Sequence, residues 1–401
     1  MRAMILAAGY GTRLWPLTLD RAKPALPFMG RPLVGYVAEY LARFGCGEII
    51  VNLHHRPESV RAALGDGSEF GVRLSYIEEP VILGTSGAMD NARAYLEGDT
   101  FIVVNGKIAT DIDLSAALET HRRAGALATL VLRRNVERER YSIVETEAGL
   151  VKRFGGYPNP PSDNDRDTVR ASLETVTVFG TSGEETPAGT QSLDGDEANK
   201  LNVEREGAGS ASVGREDAGG LSVEREDSGL SVEREEDAPL MFTGIQILEP
   251  RIFDYIPRGR FSHSVTDVYI PAIARGERIA AHTGSGMWHE LSTIRRYRDI
   301  SLILMQLEGR DVQLGRGSVV EAGADVRAAI LWEDARVERG ARVRRAILGA
   351  GVRVRAGEVV EDAAVVRAAL VREAFERGEQ RPEKALVGEF RGENFVVPLA
   401  E

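Results

Sequence analysis

Short apolar runs alternate with amphipathic stretches over residues 1–157. Residues 3–7, 48–53, 74–78, 101–104 and 128–132 read as buried strands. Residues 33–44, 57–64, 86–96 and 114–124 read as helices, the last capped by Asp111 or Asp113. This alternation predicts an α/β domain, a mostly parallel sheet with helices on both faces. The pattern resumes with the apolar stretch Pro239–Pro250, followed by a helix at 250–256, another strand near 278–282 and a long helix at 293–307.

From Leu314 the rhythm changes. Aliphatic residues fall at 314, 320, 326, then 331, 337, 343, then 348, 354, 360 and 365. The steps repeat every 17 residues, and Arg327-Ala-Ala-Ile-Leu331 returns as Arg344-Arg-Ala-Ile-Leu348 at that interval. One inward aliphatic per flat side and three sides per coil predict a β-solenoid. Residues 370–378 read as a capping helix. The apolar tail at 394–399 has no evident partner.

Residues 158–238 fit neither pattern. A nonapeptide recurs there, Leu221-Ser-Val-Glu-Arg-Glu-Asp-Ser-Gly229 and then Leu230 to Ala238. Residues 162–237 hold 20 acidic and 7 basic residues, so the net charge of −11 belongs to this segment and not to the body. Such a charged, Gly/Ser-rich stretch buries too little apolar area to offset its ordering entropy, and a disordered insertion is expected. The domains are then 1–308, interrupted at about 158–238, followed by 309–369 and a helix and tail at 370–401.

A single cysteine, Cys46, fits a buried structural thiol and a cytoplasmic setting. No apolar run is long enough for a membrane span, and no basic stripe with interleaved aromatics points to nucleic acid. The histidines form no metal pattern.

The chemistry gathers at the N-terminus. Met4 to Ala8 runs into Gly9-Tyr10-Gly11-Thr12-Arg13-Leu14-Trp15-Pro16, and Ala22-Lys23-Pro24-Ala25-Leu26-Pro27 follows. Glycines let backbone N–H groups approach oxyanions, and Arg13 and Lys23 supply positive charge, so the stretch suits a polyphosphate. A Walker loop is absent, and the third glycine of a dinucleotide fingerprint is replaced by Leu14.

The strings LAAGYGTRLWPLT and KPALP resemble the signature of the sugar-nucleotide pyrophosphorylases, the sugar-1-phosphate nucleotidylyltransferases that include mannose-1-phosphate guanylyltransferases. The resemblance covers about 1–157 and 239–308. The C-terminal repeats resemble hexapeptide repeats, common attachments in that family. It implies a Rossmann-like mixed sheet followed by a short left-handed β-helix. It also implies transfer of a nucleotidyl group from an NTP to a sugar 1-phosphate, with Mg2+ as cofactor and a homo-oligomer built through the β-helix. Catalytic roles fall on Arg13, Lys23 and Lys107. Nucleotide contacts fall on Leu6, Ala8, Gly9, Gly11, Thr12, Glu79, Gly84 and Thr85, the last three from Glu78-Glu79-Pro80 and Leu83-Gly84-Thr85-Ser86-Gly87. Small residues there would let a flat base slide against the backbone. Sugar contacts fall on Asn105, Gly106, Thr243, Gly244 and Asp267.

Two positions depart from the family pattern. Lys107 stands where a metal-binding aspartate follows Asn-Gly, and Glu290, in Trp288-His289-Glu290, stands where a second is expected. Asp111 is the nearest substitute carboxylate. An ammonium in place of a carboxylate reverses the local charge. The departures leave open a catalytically impaired, nucleotide-sugar-binding relative as the alternative to an enzyme. A hexapeptide acyltransferase is disfavoured, because residues 309–401 contain no histidine.

Overall fold

A computed structural model describes residues 1–136, 139, 141–155 and 238–400. The expected insertion lies outside the described residues, except for Ala238.

The α/β body is built on nine strands: β1 (Arg2–Leu6), β2 (Glu48–Leu53), β3 (Arg73–Glu78), β4 (Phe101–Asn105), β5 (Ala128–Arg134), β6 (Val144–Glu147), β7 (Leu150–Phe154), β8 (Leu240–Leu248) and β9 (Ile279–Thr283). Their spatial order is β3-β2-β1-β4-β8-β5-β9-β7-β6. β1 is parallel to both β2 and β4, whereas β8 runs antiparallel between β4 and β5. Alternation along β1 sends Ala3 and Ile5 to one face and Met4 to the other, all fully buried. Helices Leu33–Arg43, Pro57–Leu64 and Leu114–Ala124 cover the first face. Helices Gly84–Asn91, Arg93–Leu96 and Ile270–Ala274 cover the second. The chain leaves β1 toward β2 on one side and returns to β4 on the other. The carboxyl ends of β1 and β4 therefore flank the crevice where open α/β sheets take ligands.

Two local expectations are corrected. The helix expected at 86–96 starts at Gly84 and breaks at Ala92. The stretch after Pro250 is a 3-10 turn, Pro250–Asp254. Of the two expected caps, Asp113 caps Leu114–Ala124, accepting from Ser115 N–H at 2.8 Å. Cys46 is buried, and burial pushes its thiol up to about 11.

The C-terminal repeats form parallel strands with a 17-residue register: Val312 pairs Ala329, Ile330 pairs Ile347 and Arg336 pairs Arg353. Each corner carries one residue with positive φ, and each recurs at the same interval: Gly317, Asp334, Gly351; Gly323, Gly340, Gly357; Ala328, Arg345, Asp362. Leu331, Val337, Val343, Leu348 and Val354 fill the interior, while Leu314 and Val320 are exposed because no coil precedes theirs.

The tail acquires a role. Asn394–Pro398 pairs antiparallel with Ala363–Arg367 and closes the last coil. The helix Ala368–Glu376 reaches the N-terminal loop, where Phe375 stacks on Trp15 at 6.3 Å. The outward residues of one flat side, Ile330, Ile347 and Ala364, share a core with Leu14, Leu26, Ile294 and Tyr297. Trp332 donates to the Tyr297 hydroxyl at 3.0 Å, and Arg21 lies over its ring while pairing with Glu333. The body itself thus covers one side of the solenoid. No helix among the described residues is long and apolar enough to cross a membrane.

Candidate active site

A cavity of about 280 Å³ opens at the carboxyl ends of β1 and β4. The glycine loop forms one wall: Leu6, Ala7, Gly9, Gly11, Thr12 and Arg13 line it. Lys23, Pro24, Asn105, Gly106, Lys107 and Ser292 complete it. Ala8 is buried and outside this lining.

Two glycines make these approaches possible. Gly11 sits at φ +66°, and a Cβ there would come within 2.9 Å of the Lys23 Cβ, so the bare backbone admits Lys23 against the loop. Gly106 donates to the Leu6 carbonyl at 2.9 Å, and a Cβ on it would press on that same carbonyl. Closing β1 against β4 in this way aims residue 107 into the cavity.

Three cations converge there. Arg13 is exposed, and Lys23 and Lys107 are partly buried. Burial pushes the Lys23 ammonium well below its ordinary value of 10.5, and Lys107 and Arg13 push the same way, with Glu290 offsetting only part. No carboxylate lines the cavity. Its shape and charge suit an anion with several oxygens.

Lys107 and Glu290 come together through a short ribbon. Ile108–Thr110 pairs antiparallel with Trp288–Glu290, with Ile108 opposite Glu290, and Leu291 N–H donates to the Lys107 carbonyl at 3.1 Å. The Lys107 ammonium forms a close ion pair with the buried Glu290 carboxylate. Burial alone would raise the Glu290 carboxyl, but Lys107, Lys23 and the Tyr141 hydroxyl hold it at about 2. Arg296 fixes the same strand end, donating to the Glu290 carbonyl at 3.0 Å and pairing with Glu139.

Other expected contacts are engaged within the protein. Glu79 is only 2% exposed. Its two oxygens accept from Asn52 Nδ2 at 2.7 Å and from Leu83 N–H at 2.9 Å, while Asn52 Oδ1 accepts from Ala7 N–H at 2.8 Å. Glu79 therefore ties the glycine loop to the loop before Gly84. The small residues at 84–87 answer a protein neighbour: a Cβ on Gly84 would meet the Ser262 carbonyl at 2.4 Å, and one on Gly87 the Arg260 carbonyl at 2.7 Å. Thr85 Oγ1 accepts from Ser264 N–H. Thr243 is buried and donates to the Val131 carbonyl, Gly244 makes room for Asn105, and Asp267 accepts from His263 N–H. Asp111 accepts from Met287 N–H and is absent from the cavity lining. Of the expected sugar contacts, Asn105 and Gly106 line the cavity, and Thr243, Gly244 and Asp267 do not. The sequence offered no signal for Asn52 or Tyr141, whose roles arise only from contacts across the fold.

A divalent cation between positions 107 and 290 does not fit these residues. The Glu290 carboxylate is taken by an ammonium and a phenol, and the cavity presents cations without an acidic ligand. No group of three or more potential metal-binding side chains occurs among the described residues.

Comparisons with known proteins agree with this layout. Residues 2–173 match the family model for nucleotidyl transferases, and residues 307–380 match the GlmU-like C-terminal hexapeptide model. An N-acetylmuramate alpha-1-phosphate uridylyltransferase of Neisseria meningitidis is 45% identical over 121 residues, 30% of this chain and 52% of that protein. A mannose-1-phosphate guanylyltransferase of Mycobacterium tuberculosis is 35% identical over 163 residues, 40% of this chain and 45% of that protein. The chain thus spans about half the length of these curated relatives. In fold, it is similar to a Bacillus anthracis protein assigned as a glucose-1-phosphate thymidylyltransferase and crystallised with sucrose. That match has a TM-score of 0.51 at 18% identity and covers 79% of this chain and 98% of that one.

Proposed function

We propose that this chain, which carries a nucleotidyl transferase domain followed by a GlmU-like hexapeptide domain, transfers a nucleotidyl group from an NTP to a sugar 1-phosphate and releases pyrophosphate. The observation that carries the reading is the cavity at the β1–β4 crevice, where Arg13, Lys23 and Lys107 meet the bare backbone of Gly9 and Gly11. In such a transfer the sugar phosphate oxygen attacks the α-phosphorus in line and pyrophosphate leaves. Little covalent work falls to the protein, and placed positive charge stabilises the transition state. Arg13 and Lys23 supply that charge, and Asn105 and Gly106 form the wall toward the sugar side.

GTP with mannose 1-phosphate is the first pair to try, given the mycobacterial relative. UTP comes next, given the neisserial one. Self-association through the solenoid belongs to the same reading. Its C-terminal end is closed by the tail, but its first coil leaves strands 312–314 and 319–320 at the edges with Leu314, Val319 and Val320 exposed.

The test is a screen of four NTPs against a panel of sugar 1-phosphates, with pyrophosphate release as the readout and parallel runs with and without Mg2+. Release from one or a few pairs is expected. Nucleotide binding without release from any pair in either condition would overturn the enzyme reading in favour of a binding relative.

A further inference from the structure

We propose that Lys107 takes the place of a divalent cation in this site, so that the chain binds its nucleoside triphosphate metal-free. The inference rests on the nucleotidyl-transfer reading above and deepens it. The cavity lining holds Arg13, Lys23 and Lys107 and no carboxylate, so a free polyphosphate finds neutralising charge there whereas a metal finds no carboxylate ligand. The acid behind this wall that pairs with Lys107, Glu290, is buried and already engaged by it. The pairing is set by backbone register: Glu290 lies opposite Ile108, and Leu291 N–H holds the Lys107 carbonyl. Charge is conserved in kind. An ammonium balanced by one carboxylate is as neutral as a dication balanced by two. Lys107 remains partly exposed, with its side chain 37% accessible on the cavity side, so it can face phosphate oxygens while Glu290 anchors it from behind.

The experiment is titration calorimetry of the full chain with the NTP, once with EDTA and once with excess Mg2+, on the wild type, Lys107→Asp and Lys107→Met. Mn2+ binding to the same proteins is followed by electron paramagnetic resonance. The wild type should bind with EDTA at least as tightly as with Mg2+ and should bring no Mn2+ into the protein in the absence of nucleotide. Lys107→Met should weaken metal-free binding at least about tenfold, the usual scale for one charge-assisted contact. Lys107→Asp should bind only with Mg2+ and should gain a Mn2+ signal. If Lys107→Asp fails to fold, Lys107→Met and the wild-type comparison still decide. Wild-type binding that requires Mg2+ overturns this inference and leaves nucleotidyl transfer standing. Failure of every NTP to bind in both conditions overturns the nucleotidyl-transfer reading, and this one falls with it.

Discussion

Removing the Glu79 carboxylate should loosen the glycine loop from a distance. The chain of contacts runs from Ala7 N–H to Asn52, from Asn52 to one oxygen of Glu79, and from the other oxygen to Leu83 N–H, all at 2.7–2.9 Å. Asn52 and Glu79 are each only 2% exposed, so no water stands ready to replace the lost acceptor. Glu79→Ala leaves two donors without partners, one of them fully buried, at about 1–3 kcal/mol each. A loss of about 2–6 kcal/mol is expected, a large share of the roughly 5–15 kcal/mol that holds a domain together. Glu79→Gln keeps the shape but turns an NH2 toward one of the two donors, and about half that loss should follow. Urea unfolding with an unchanged m-value reads both. Burial raises the Glu79 carboxyl above its ordinary 4.5 despite its two donors. The folded state therefore holds this proton more tightly than the unfolded chain, and its contribution falls as pH rises from 4.5 through the raised value. Glu79→Gln should flatten that slope. A Glu79→Ala protein within about 0.5 kcal/mol of wild type would refute the bridge and return Glu79 to a ligand-facing role.

Three further outcomes follow from the site and the solenoid. Arg13→Ala and Lys23→Ala should each lower pyrophosphate release by about 2–4 kcal/mol in the transition state with unfolding midpoints little changed; near-normal turnover in either removes the loop from the mechanism. Nucleotide binding should draw protons onto Lys23, because its ammonium is held well below 10.5 in the free protein and a polyphosphate restores it. Followed across an alkaline pH series, the binding enthalpy should then shift with buffer ionisation enthalpy in the sense of proton uptake where Lys23 titrates, and Lys23→Met should abolish that shift. Val320→Lys on the open first coil should shift any oligomer toward monomer in light scattering with the fold retained, whereas truncation near residue 310 is a poor probe because Ile330, Trp332 and Phe395 also cover the α/β body.

What could be read from the sequence was local. The glycine loop, Lys23 and Asn105 to Lys107 sit within short segments whose residue types state their chemistry, and the 17-residue repeat of aliphatics states its own geometry. What escaped reading joins distant segments. The small residues at 84–87 carry no mark in the sequence that the Ser262 and Arg260 carbonyls press on them, since a close backbone and a flat base alike demand the absence of a Cβ. The apolar tail at 394–399 gains meaning only when it closes the last coil. Lys107 and Glu290 show this most fully. Read singly, each is a lost aspartate and points toward a failed site. Joined by the ribbon, they are one charge-balanced pair in which the first substitution supplies a cation and the second keeps its counter-ion buried. An unpaired carboxylate buried at position 290 would cost several kcal/mol, and Lys107 removes that cost. On the metal-free proposal, the pair that leaves no carboxylate free also holds Lys107 at the cavity wall beside Arg13 and Lys23, the cations a triphosphate would meet there.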